Sequence, residues 1–292
     1  MKPLFLLGLA LFSGATLAAD LKPFEASFAV SRNGKELGTM AMALSAPKDG
    51  EWLFVSRTEG KGGLAGFLGV TIEERSKLTL GESGLASTSY RYNQDMVGRH
   101  RARQLDITGG KATESDDDKR WSYPVEGNVL DRHSMVLGIA THLADGVSEG
   151  SVFDLAVASK GKLEEWRFLV GGTEQVDTGS GRIEAIRVER LRDNPERKTV
   201  SWHAPKYDYL PVKVEQVEPD GERLVSFGTG TCELRGSLRA GSAPSFSFDV
   251  LVAAIDVVHA VDRGFAAATR PRQHQLADAR RSVAIIGAPV SA

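Results

Sequence analysis

The chain has almost no cysteine: Cys232 is the single one among 292 residues. That excludes an internal disulfide, and it excludes a zinc or iron–sulfur site built from several thiolates. A dominant charge is lacking too. Lys and Arg number 36 against 38 Asp and Glu, a formal charge of -2, so nothing drives the protein electrostatically onto nucleic acid or anionic lipid. No apolar run is long and uninterrupted enough for a permanent membrane span. What is present, 41% apolar and 25% charged residues, suits one large or two ordinary globular domains and is too balanced for a disordered or collagenous chain.

The N-terminus reads as a secretory signal peptide. Lys2 precedes an apolar run from Pro3 to Phe12, and small residues follow through Ala18 and Ala19. Cleavage is expected before Asp20, with the bond before Ala19 as the near alternative. No cysteine lies there for lipid attachment, and removal of the first 19 residues takes only Lys2 among the charges, leaving 273 residues at -3.

From Leu21 to about Phe227 the hydrophobic pattern repeats every second residue, the period of a half-buried strand. Phe24, Ala26, Phe28 and Val30 share a face, Asn33-Gly34 marks a hairpin turn, and Met40, Met42 and Leu44 resume the alternation. Further strands begin at Trp52 and Val70, and the pattern recurs to Val217. The expected fold is mainly β: a large curved antiparallel sheet or partly closed β-barrel over residues 20–230. One covering helix is expected, capped by Asn128 or Asp131 and ending at Asp145 before Gly146. His133 and His142 are nine positions apart, about 900° of helical rotation, so they project from opposite sides and lack metalloprotease spacing.

The search for chemistry returns little. The Gly60–Gly69 stretch lacks the Gly-Lys-Ser/Thr ending of a phosphate loop and reads either as a flexible connection or as a gate displaying Leu64, Phe67 and Leu68. Glu114 and Asp116–Asp118 lack calcium-loop spacing and read as a solvated hairpin end, with Gly98-Arg99-His100-Arg101 balancing them. No Gly-x-Ser-x-Gly is present, and Asp177-Thr178-Gly179 has no second copy, so it reads as a turn.

The most specific stretch runs from Trp202 to Val217, a tryptophan-anchored turn followed by the strand Leu210-Pro211-Val212-Lys213. Together with the strand–turn–strand around Gly38, the Gly60–Gly69 loop and Leu130-Asp131 with Ser134, it resembles exported bacterial proteins of domain of unknown function 3108. The resemblance spans about residues 24 to 227. It implies an exported curved-sheet protein related in shape to carriers of lipid or lipoprotein, and it carries over no enzymatic residue.

Residues 231–292 depart from that pattern. They hold seven arginines but no lysine, tryptophan or tyrosine. Phe246–Val261 fits a helix, and a poorly ordered extension fits as well.

Two readings of function follow. In the first, a non-enzymatic periplasmic protein holds a lipidic or other apolar ligand inside the sheet, contacted by Phe28, Trp52, Phe54, Leu64, Phe67, Leu68 and Trp202. That reading requires a cavity of roughly hundreds of cubic ångströms. In the alternative, the same side chains pack solid and the protein is a structural or interaction domain of the cell envelope. Neither reading calls for a cofactor, a metal or a catalytic residue, and the expected partner is an apolar small molecule or an envelope protein.

Overall fold

The computed structural model describes residues 21–61, 63–229 and 233–234. The expected signal peptide, Cys232 and the expected helix at Phe246–Val261 lie outside the described residues. In chain order the elements are β1 Phe24–Arg32, β2 Lys35–Lys48, β3 Glu51–Gly60, α1 Gly63–Phe67, β4 Thr71–Gly81, β5 Gly84–Met96, β6 Arg99–Thr108, β7 Lys111–Asp116 and β8 Lys119–Pro124. They continue as β9 Leu130–Asp131, α2 Met135–Ala144, β10 Val152–Ser159, β11 Lys162–Thr178, β12 Gly181–Leu191, β13 Lys198–Ala204, β14 Leu210–Val217, β15 Arg223–Gly228 and β16 Glu233–Leu234.

The sixteen strands of the described residues form one curved sheet. Successive strands pair with their neighbours, β1 through β8 in one direction and β15 back through β9 in the other, and β1 pairs with β15 where the two runs meet. The start and end of this β region are thus stitched together mid-sheet, and the free edges are β8 and β9. Short turns make the meander. Asn33-Gly34, Asp49-Gly50 and Lys160-Gly161 each place both residues at positive φ, the backbone that matches the twist of a tight hairpin. Gly38 serves another purpose: a Cβ there would run into the Glu59 carbonyl, so the close approach of β2 to β3 requires glycine.

The ladder stays open, but its edges meet. Val129, just before β9, accepts a backbone hydrogen bond from Ser87 of β5 at 2.8 Å. Towards the other end, the Glu114 carboxylate on β7 accepts the amides of Lys160 at 2.7 Å and Gly161 at 2.6 Å in the β10–β11 turn. Curvature that brings the edges together shields groups that would otherwise recruit foreign strands.

Helix α2 closes one end of this sheet. Val136 and Leu137 pack with Phe24, Phe54, Leu78 and Leu85, while Met135, Ile139 and Leu143 pack with Phe153 and Phe168. The helix is shorter than the apolar pattern predicts, because Leu130-Asp131 is drawn into a parallel pairing with Val157 and Ala158. The acidic run lies at a hairpin end, with Asp117 and Asp118 in the β7–β8 turn and Glu114 and Asp116 on β7. One other expectation needs revision: Trp202-His203-Ala204 belongs to β13, with the turn confined to Pro205–Tyr209. Among the described residues no helix is long and apolar enough to cross a membrane.

Candidate functional site

Of the seven residues expected to line an apolar interior, Phe28, Trp52 and Phe54 share one cluster, whereas Trp202, Phe67 and Leu68 lie apart from it. Phe28 and Phe54 are sealed in the cluster that α2 covers, with Trp52 packed partly buried against it. The cavity beside Phe28 is only about 20 Å³, room for about one water. Trp202 lies in a separate cluster with Ala204, Tyr207 and Val212, donates its indole N–H to Glu174 at 2.8 Å, and stacks under the Lys213 ammonium. Phe67 and Leu68 lie at the opposite end of the sheet from α2, and the side chain of Leu64 falls outside the described residues.

The inward face also differs in chemistry from an acyl-chain container. Across β3, β4 and β5 the register aligns Phe54–Ser76–Tyr90, then Ser56–Glu74–Tyr92, then Thr58–Ile72–Gln94. Every one of these side chains is buried. Tyr90 donates to Glu74 at 2.6 Å, Tyr92 donates to Gln94 at 2.9 Å, and the Arg103 guanidinium lies over the Tyr92 ring. Burial first, and then the Glu74 charge, push the Tyr90 phenol well above its ordinary value, so it remains a donor.

Asp131 anchors this interior to α2. It is fully buried, and its carboxylate accepts the Ser76 hydroxyl at 3.0 Å, the Ser87 hydroxyl at 2.7 Å, and the backbone N–H groups of His133 at 2.8 Å and Ser134 at 2.9 Å. The Ser87 hydroxyl oxygen in turn accepts the Asp131 amide at 2.8 Å. One side chain thereby fixes β4, β5, β9 and the entry to α2. Of the expected caps it is Asp131 that ties down the helix start, through the turn that precedes it rather than as the N-cap, a position held by Ser134. His133 Nδ1 sits 2.8 Å from Ser76 Oγ, and its ring stacks on Phe54 at 4.2 Å. Removal from water lowers its pKa to about 4, against a smaller upward pull from Asp131. Serine, histidine and aspartate do meet here, but the carboxylate does not hold the far ring nitrogen and every member is buried, so the arrangement lacks the geometry of a nucleophile activated by a base.

The glycine-rich segment is neither a bare connection nor a phosphate cradle. Its backbone is tied by Gly60 N–H to Val70 O and Lys61 N–H to Leu37 O, both 2.8 Å, and Ala65 is buried with Met40, Ile72 and Tyr92. Phe67 is left 83% exposed and Val97 72% exposed, the two most exposed large apolar side chains among the described residues. They share one rim, because Val97 N–H bonds to Leu68 O at 2.9 Å. The acidic cluster beside this rim is split. Asp117 and Asp118 form the β7–β8 turn, whereas Glu114 and Asp116 face inward, and Arg101 grips both Asp116 oxygens at 2.8 Å, the balance the sequence implied.

An open cleft of about 240 Å³ lies beside α2, between the β4–β5 turn and β10, lined by Asn128, Thr141, His142, Asp145 and Asp154 among others. His142 stacks on Phe153 at 4.0 Å, so its ring is a packing element there. Among the described residues no group of three or more His, Cys, Asp or Glu side chains is placed to hold a metal ion.

Comparison with known proteins gives a family and remote structural likenesses. A β-barrel-like protein of domain of unknown function 1849 from Brucella abortus aligns at a TM-score of 0.49 and 10% identity, covering 75% of this chain and 100% of its own. A Bacteroides fragilis protein with a YmcC-like fold aligns at a TM-score of 0.29 and 12% identity, covering 72% and 95% respectively. No curated protein matches the chain. The model of the family described as protein of unknown function DUF3108 matches residues 24–227, from the first residue of β1 almost to the end of β15, and the chain belongs to that family.

Proposed function

We propose that this is an exported, non-enzymatic domain of the cell envelope that docks onto an apolar surface of another envelope protein through the rim carrying Phe67 and Val97. The single observation that carries the reading is the placement of these two side chains. Both stand in solvent on one rim, held by a backbone hydrogen bond, while the apolar side chains of the interior are sealed. The polar groups beside the rim pair with one another, Arg57 with Glu59 in an ion pair and His100 Nδ1 with the Asp95 carboxylate at 2.8 Å. A rim of that kind suits a protein surface better than an anionic bilayer. Export to the periplasm rests on the composition of Met1–Asp20.

Carriage of a lipidic ligand within the sheet has weaker support, since the cavity beside Phe28 holds about 20 Å³ and the inward faces of β3 to β5 are rich in polar groups. A photo-crosslinking amino acid placed at Phe67 in the living cell tests the docking. The expected product is a discrete protein adduct that disappears when Val97 is changed to Ser. Adducts of lipid alone, or no adduct, would contradict the reading.

A further inference from the structure

Four buried side chains of the interior carry polar atoms with no protein partner: Ser56 Oγ, Thr58 Oγ1, Gln94 Nε2 and His133 Nε2. They belong to one region. Ser56 and Thr58 project from β3, Gln94 stands two strands away in the Thr58 row, and His133 lies on Phe54, the next inward residue before Ser56. Leaving four such groups without partners would cost a large share of the stability of a domain this size.

Proton bookkeeping identifies what each group offers. The Ser76 hydroxyl gives its one proton to Asp131, so the short contact between Ser76 Oγ and His133 Nδ1 is an N–H donated by the ring. A neutral imidazole protonated at Nδ1 presents a lone pair at Nε2. Gln94 already uses its amide oxygen to accept the Tyr92 hydroxyl, which fixes its free end as the NH2 donor. The interior therefore offers one acceptor, one amide donor and two hydroxyls able to act either way. An anion would face the Nε2 lone pair and the neighbouring Glu74, whereas a cation would face the Gln94 NH2 and the Arg103 guanidinium. An apolar chain would satisfy none of the four. Only a neutral group that both donates and accepts suits them all.

We propose that the region between β3, β4, β5 and the His133 ring binds a small neutral hydroxyl-bearing guest, either ordered water or a small polyol, bridging His133 Nε2 to the side chains of Ser56, Thr58 and Gln94. All four side chains are buried, and Ala65 of α1 packs in the same cluster as Ile72 and Tyr92.

High-resolution crystallography of the purified chain tests this. Connected density within hydrogen-bonding distance of at least two of the four atoms is expected, and the lack of such density would overturn the proposal. Mass analysis of small molecules released on unfolding separates the two sources. A released polyol identifies a solute, and density without any released solute identifies water. Thr58→Val supplies an independent sign. With the guest in place the variant loses a bridged hydroxyl, and its folded-to-unfolded ratio from urea titration falls about fivefold. If that ratio is unchanged or raised, the hydroxyl had no partner and the proposal fails.

Discussion

His133 and His203 are held neutral by burial for different local reasons. His133 gives its Nδ1 proton to Ser76, while His203 Nδ1 donates to the Tyr209 carbonyl and its Nε2 accepts the Ser201 hydroxyl, both at 2.8 Å. Desolvation lowers both pKa values to about 4, Asp131 pulling slightly upward and Arg132 downward at the first, the Tyr209 carbonyl upward at the second. The unfolded chain, at the ordinary value of 6.5, binds more protons than the native state between these limits. The stabilising contribution is therefore complete above pH 6.5, is lost as pH falls towards about 4, and amounts to on the order of 3 kcal/mol per histidine. Urea midpoints measured across this window should decline steadily on acidification. A flat profile would mean that one or both rings are charged or solvated in the native protein. At this scale the interior was legible but easily passed over. Ile72 and Leu78 fix the inward phase of β4, so Glu74 and Ser76 must point inward with them, yet attention to apolar residues alone hides both.

Element boundaries follow competition between local preference and long-range pairing. The apolar spacing of Leu130, Val136, Ile139 and Leu143 is helical, yet Leu130-Asp131 is claimed by β10 and by the hydrogen bonds of Ser87, and the helix begins only at Met135. Nothing local in the sequence announces that claim. The Leu130-Asp131 and Ser134 positions that carry the family resemblance are the ones that tie β5 to β9 and to the start of α2. Asp131→Ala should therefore act as a clasp mutation. It strands two serine hydroxyls and two backbone amides, at a cost of about 3–5 kcal/mol. Hydrogen exchange should accelerate first at Ser87, His133 and Ser134, ahead of the β12–β14 region. Uniform acceleration across the sheet would contradict the clasp role. The Gly60–Gly69 segment shows the limit from the other side. Its glycines announce a departure from the strand pattern, but the Gly60 and Lys61 hydrogen bonds to Val70 and Leu37, and the burial of Ala65, arise from partners the local sequence does not name.

Over the described residues the molecule is an open ladder curled until its edges touch, with α2 over one end and the Phe67–Val97 rim at the other. Period-two alternation and paired turn residues such as Asn33-Gly34 made a large antiparallel sheet legible. They did not show how the edges meet, because Glu114 reaching the Lys160-Gly161 turn and Ser87 reaching Val129 are contacts between segments over forty residues apart. The same alternation left open whether the concave face is a container or a core. The side chains resolve its character: aromatic and aliphatic packing near α2, polar groups deeper along β3 to β5, and the two most exposed large apolar side chains at the far rim. The proposed function places protein docking outside the sheet and no acyl chain within it. Native mass spectrometry of the protein purified gently from the periplasm tests this most directly. A mass equal to the processed polypeptide, with at most small hydroxyl-bearing adducts, is the predicted result. A stoichiometric adduct in the mass range of a fatty acid or phospholipid that persists when Phe67 and Val97 are both changed to Ser would contradict it.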